Sequence, residues 1–85
     1  MPYIPSYDRV PYGPALHQLD VLLAGKPKGH LTFVLYTIAR RFVQEERYTN
    51  LSEARSALGD AYDEFYRRLM APYEDKQIEK SGDAI

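Results

Sequence analysis

Few side chains in this chain have the types and spacings that catalysis uses. It has two histidines, His17 and His30, and no cysteine, which excludes thiolate nucleophiles and Cys-ligated zinc. Neither histidine belongs to a His-Glu-x-x-His or Glu-x-x-His pattern, and no Gly-x-Ser-x-Gly, P-loop or dinucleotide fingerprint occurs. We therefore expect a protein that is not an enzyme, with no catalytic residue, cofactor or metal.

The acidic residues give weaker signals of a metal site. His17 and Asp20 stand three apart and could form a two-ligand edge on a helix, although a surface pair is the commoner outcome. Glu45-Glu46 and Asp63-Glu64 could face each other across a helical hairpin. Without histidine ligands beside them, these carboxylates do not predict a metal site.

Basic and aromatic residues suggest where an anion could bind. Lys26-Pro27-Lys28-Gly29-His30 is either a small anion-binding turn at the start of a helix or an ordinary basic connection. Asp63 and Glu64 precede Arg67 and Arg68 by four residues, the favourable order for helix-surface ion pairs. Tyrosines nearby could stack on a base. The candidate ligand-binding residues are Lys26, Lys28, Tyr66, Arg67, Arg68 and Tyr73.

These residues must be positioned by helices, because apolar residues recur with a helical period and do not alternate. Residues 1–13 interleave proline with tyrosine and are expected to form an extended arm. Asn50 with Glu53 resembles a capping box, Gly59 suggests a close helix crossing, and Pro72 should kink or restart the last helix. The expected helices are 14–24, 31–47, 51–71 and 72–80, followed by a polar tail over 81–85.

The expected fold is a single all-α domain of 85 residues, a small bundle built on two long antiparallel helices. The helix over 31–47 is apolar around more than half its circumference, and a short chain can hardly cover it. A second copy is the expected cover, in a dimer or a larger ring. The expected interface residues are Tyr3, Tyr7, Tyr12, Phe33, Tyr36, Phe42 and Val43.

The C-terminal stretch also carries a specific motif, Tyr-Arg-Arg-x-x-Ala-Pro-Tyr-Glu-Asp-x-x-Ile over residues 66–78, followed by Gly-Asp at 82–83. Together with the opening Met-Pro-Tyr-Ile, this motif resembles a widespread family of small uncharacterised proteins encoded by tailed phages. The resemblance implies a phage origin and supplies no catalytic residues.

The net charge and the lack of targeting segments make several classes of function less probable. The net charge of −1 gives no positive field for duplex DNA or an anionic membrane, and no secretory signal or membrane span is evident. We expect a protein of the bacterial host cytoplasm that acts by binding. A counter-defence or host-takeover interaction with a host protein is expected first. The alternatives are a sponge for a small anionic nucleotide signal and a minor virion or assembly component.

Overall fold

The computed structural model describes residues 3–82 and confirms an all-α fold, with no strand in that range. Three continuous helical runs are separated by two connections. The first run contains α1 (Ser6–Arg9), a 3₁₀ turn (Val10–Tyr12) and α2 (Gly13–Leu23); the second is α3 (Lys28–Phe42); the third contains α4 (Tyr48–Phe65), a π-helical segment (Tyr66–Met70) and α5 (Ala71–Ser81).

The expected extended arm over 1–13 is wrong for residues 6–13, which are helical, while residues 1 and 2 lie outside the described range. The three prolines of this segment that the structure describes occupy places where a helix tolerates them. Pro5 is the extended residue before α1, Pro11 lies in the 3₁₀ turn, and Pro14 is in the first turn of α2. A missing N–H costs nothing at a helix start, so these prolines divide the helix into segments without unwinding it.

The connection between α2 and α3 is set by glycine. Gly25 has a positive φ of 70°, which non-glycine residues rarely adopt. Helix α3 then begins at Lys28, three residues before the expected start, because the His30 amide already bonds the Pro27 carbonyl at 3.0 Å. Residues 28–30 of the basic connection over 26–30 therefore belong to α3.

Helix α3 ends at Phe42 and not at residue 47. Arg40 and Arg41 lie in its last turn, where cations favour the helix dipole, whereas Glu45 and Glu46 would oppose it. The charges thus favour ending the helix before the glutamates.

Asn50 does not cap α4, so the expected start at Leu51 is wrong. The cap position is Arg47, and Asn50 lies inside the first turn, where its Nδ2 donates to the Glu45 carbonyl at 2.9 Å. That bond ties the connection over 43–47 to the helix. The expected close helix crossing at Gly59 is also absent, since a Cβ built there would meet no atom within 4 Å.

Pro72 lies in the first turn of α5, which begins at Ala71, as expected of a proline that restarts a helix. A π segment precedes it, so the third helical run continues through this point. The Ala71 amide bonds the Tyr66 carbonyl, five residues back. In an α-helix the proline ring would clash with the carbonyl of Arg68, four residues earlier, and this wider turn accommodates the ring. Helix α5 continues to Ser81, one residue into the expected tail, of which residues 83–85 lie outside the described range.

The backbone groups into two compact units that meet between Val34 and Leu35, within α3. In the second unit, α3 and α4 line one apolar pocket on either side of the connection over 43–47. Among the described residues Ala54 alone is buried, with 8% of its surface exposed. The core of the second unit is therefore minimal. No helix among residues 3–82 has the length and apolar character to cross a membrane.

Candidate functional site

Two features of the second unit could recognise a ligand or a partner: a charged cluster at the π segment and an apolar groove between α3 and α4. In the charged cluster, Arg67 and Arg68 both donate to Oε1 of Glu64. The expected pairing of Glu64 with Arg68 is present, but Arg67 pairs with Glu64 and not with Asp63. One carboxylate thus serves two guanidinium groups, which lowers the positive potential that either offers a phosphate.

Tyr66 makes a second interaction across the π segment. Its hydroxyl donates to Oε2 of Glu74, eight residues along, at 3.2 Å. A π turn uses more residues than an α turn, which brings residues eight apart onto one side of the helix. The hydrogen bond to Glu74 raises the pKa of Tyr66 above 10.0, and the charges of Glu74 and Asp75 and partial desolvation act in the same direction. The phenol is therefore held protonated.

The remaining candidate ligand residues are not gathered at this cluster by any described contact. Tyr73 is exposed in the first turn of α5. Lys26 lies in the connection before α3, and Lys28 is the first residue of that helix, both in the first unit. The expected set of six ligand residues thus divides between the two units.

The second feature is the apolar groove, a half-open cavity of about 240 Å³. Helix α3 contributes mostly bulky side chains and α4 mostly alanines. The residues that line it are Leu35, Ile38, Ala39, Phe42, Ala54, Ala57, Leu58 and Ala61. Both helices present positions spaced by three and four, so each contributes a single stripe.

The structure distributes the expected interface residues over several surfaces. Phe42 lines the groove, and Val43 is half-buried beside it. Phe33 and Tyr36 are exposed on other sides of α3, because helical rotation turns them away from the groove stripe. Tyr3, Tyr7 and Tyr12 are exposed in the first unit.

Sequence reasoning missed the alanines of α4 as a site. Ala54, Ala57 and Ala61 share one helix side with Leu58, and their spacing was the available signal. Alanine is a weaker sequence signal of a binding site than tyrosine or arginine, because its side chain has no polar atom and little apolar area. Its value is steric, since a small side chain lets another helix approach closely.

Within residues 3–82, no three side chains of His, Asp or Glu come close enough to hold a metal ion. The Glu45-Glu46 and Asp63-Glu64 pairs form no such group. His17 and Asp20 likewise gain no third ligand.

Comparison with known proteins identifies the family. Residues 1–84 match the domain of unknown function DUF6899, so the chain belongs to that family. No curated protein and no solved structure matches the chain significantly.

Proposed function

We propose that this chain is a non-enzymatic phage accessory protein of the bacterial cytoplasm that self-associates and acts by binding a host protein. Counter-defence or host takeover is the proposed context. The observation that carries the proposal is the burial pattern. Ala54 is the single buried residue among those described, while Phe33, Phe42 and Leu69 each leave more than half of their surface exposed.

Such exposure is costly for a protein that acts alone. Leu22, Phe65 and Leu69 are likewise 65%, 57% and 57% exposed. Large exposed apolar surface marks sites of association. These exposed side chains support a partner that covers the helices.

Exposed aromatic residues favour a protein as the further partner. Tyr7, Tyr48 and Tyr62 are 75%, 86% and 78% exposed, and tyrosine is enriched where proteins bind one another. Arg67 and Arg68, by contrast, are already paired with Glu64. That pairing gives the nucleotide-sponge alternative less support than the protein-binding one. The phage context rests on the C-terminal signature, with which membership of the DUF6899 family is compatible.

The test combines native mass spectrometry with quantitative capture. The protein purified from bacterial cytoplasm should be an oligomer with no added small molecule, and it should capture one host protein in stoichiometric amount. A Tyr7→Ala/Tyr12→Ala variant should weaken that binding about tenfold or more, as loss of aromatic contacts does. The matched Tyr7→Phe/Tyr12→Phe variant keeps the rings and should bind nearly as well.

Three results would contradict the proposal. An added mass of a few hundred daltons per subunit would indicate a nucleotide ligand. Recovery of the chain in purified phage particles would indicate a virion component. Absence of any stoichiometric host protein from the capture would remove the host-binding role.

A further inference from the structure

We infer that a polar cleft at the connection between α3 and α4 binds a peptide segment of the protein partner, one that carries both an acidic and a basic side chain. The inference rests on the proposed binding of a host protein and assigns part of that binding to one surface. The cleft has a volume of about 390 Å³ and lies wholly within the second unit. It is lined by Arg41, Phe42, Val43, Gln44, Asn50 and Glu53.

The cleft offers two opposite charges to a ligand. Arg41 comes from the last turn of α3 and Glu53 from α4. Neither side chain forms an ion pair or a hydrogen bond with another residue in the range 3–82. Glu45 and Arg47 in the connection pair with each other at 2.9 Å, so they do not neutralise the charges of the cleft. A ligand with one acidic and one basic group is complementary to this arrangement.

Two amide side chains give the cleft hydrogen-bonding groups that suit a peptide backbone. Asn50 is held in place because its Nδ2 donates to the Glu45 carbonyl at 2.9 Å, which leaves its Oδ1 able to accept from a ligand N–H. Gln44 lies in the connection and can both donate and accept, as a peptide group does. A side chain that is already fixed loses little entropy on binding.

The mixed lining disfavours other classes of ligand. Glu53 would repel the phosphates of a nucleotide, and Arg41 is the one cation that lines the cleft. A metal ion would find a single carboxylate there. A wholly apolar ligand would remove water from the charged and amide groups without replacing their hydrogen bonds. A peptide supplies amide groups, charged side chains and apolar side chains for Phe42 together.

Selection from a library of random short peptides displayed on yeast tests the chemistry of the ligand. Peptides enriched by the full chain should carry an acidic and a basic residue at a fixed separation. Selection by Arg41→Glu should lose the preference for the acidic residue, and selection by Glu53→Lys should lose the preference for the basic one. Each variant reverses the charge that the peptide must complement.

Arg40 provides a matched control on the same helix. It is exposed in the last turn of α3 but does not line the cleft. Arg41→Glu should weaken the binding of a selected peptide about tenfold or more, because like charges then face each other. Arg40→Glu, with the same change of charge, should leave the dissociation constant nearly unchanged. Isothermal titration calorimetry measures the affinity, and circular dichroism checks the helix content of both variants.

A neutral variant covers the case in which Arg41→Glu fails to fold. A glutamate in the last turn of a helix opposes the helix dipole, whereas a glutamine does not. Arg41→Gln should therefore keep the helix and still weaken binding of the selected peptide. Unchanged affinity in a folded Arg41→Gln variant would contradict a role for this charge.

The outcomes separate this inference from the proposed function. Enriched peptides without charged residues, or no enriched peptide at all, would overturn the inference. If Arg41→Glu and Glu53→Lys capture the host protein as well as the unmodified chain does, the cleft is not the peptide site and the proposed function stands. If the unmodified chain binds selected peptides but captures no host protein, the proposed function is wrong and the peptide site stands. Loss of the native oligomer in Arg41→Glu would place a second copy in the cleft and overturn the inference.

Discussion

The hydrogen bond and the pKa of Tyr66 depend on the local backbone conformation. Its hydroxyl reaches Glu74 because the π segment shifts the register between them. The glutamate accepts the hydrogen bond and also places a negative charge nearby, and both effects favour the neutral phenol. A raised pKa in the folded state contributes stability below the unfolded value near 10. That contribution is lost as pH rises through the higher folded value.

Glu74→Gln should lower the pKa of Tyr66 towards 10.0, because the substitution removes the negative charge and leaves a weaker acceptor. NMR titration of a chain with ¹³C-labelled tyrosine rings resolves Tyr66 from the others. Glu79→Gln on the same helix is the control and should leave Tyr66 unchanged. A Tyr66 titration identical in the Glu74→Gln variant would show that the hydrogen bond does not form in solution.

The π segment between α4 and α5 is the least regular part of the third helical run. It accommodates Pro72 and contains Arg67 and Arg68, which pair with Glu64 at the end of α4. The ion pairs add little stability, since exposed pairs contribute about 0–1 kcal/mol. Steric demand from Pro72 is thus the stronger reason for the wide turn, because proline in an ordinary helix interior costs about 3 kcal/mol.

Pro72→Ala should let the π segment relax to an α-helix and raise the free energy of unfolding by about 1 kcal/mol. Relaxation would rotate Glu74 away from Tyr66, so the pKa of Tyr66 should fall as well. Thermal unfolding and the tyrosine titration measure the two effects. Lys76→Ala, another change to alanine in α5, should change neither the pKa of Tyr66 nor the π segment. An unchanged Tyr66 pKa in Pro72→Ala would mean that proline is not what holds the π turn.

At the scale of the whole molecule, few side chains are buried within a single chain. Ala54 alone is buried among the described residues. The hydrophobic contribution within one chain is therefore small, since it scales with the apolar area removed from water. The proposed self-association would add stability, and the melting temperature would then depend on protein concentration.

The dependence of stability on association can be tested with the same substitution at Phe42 and at Phe33, which both lie on α3. Both are 68% exposed, but Phe42 lines the groove and Phe33 lies on the other side of α3. The melting temperature of the unmodified chain should rise with protein concentration, and Phe42→Asp should abolish that rise. Phe33→Asp should retain it. Equal loss in both variants would place the association surface elsewhere than the groove.

The sequence by itself indicated the all-α class, because apolar spacings of three and four along α3 and α4 fit a helix better than the strand that the β-branched and aromatic residues of α3 also favour. It also indicated the turn at Gly25 and an apolar stripe through Ala54 and Leu58, although not that this stripe lines a groove. Short-range rules act within one or two turns of chain, so such features are visible from residue types in order.

Only the three-dimensional structure showed where helices begin, how Pro72 is accommodated and which residues share a surface. Asn50 fits a cap by sequence, yet its side chain bonds the Glu45 carbonyl, and the prolines before α2 fit helix starts as well as they fit an extended arm. Competing local options of this sort differ by about 1 kcal/mol, which is too little for residue types in order to distinguish them. The groove likewise exists only because the connection over 43–47 brings the alanines of α4 opposite the bulky side chains of α3.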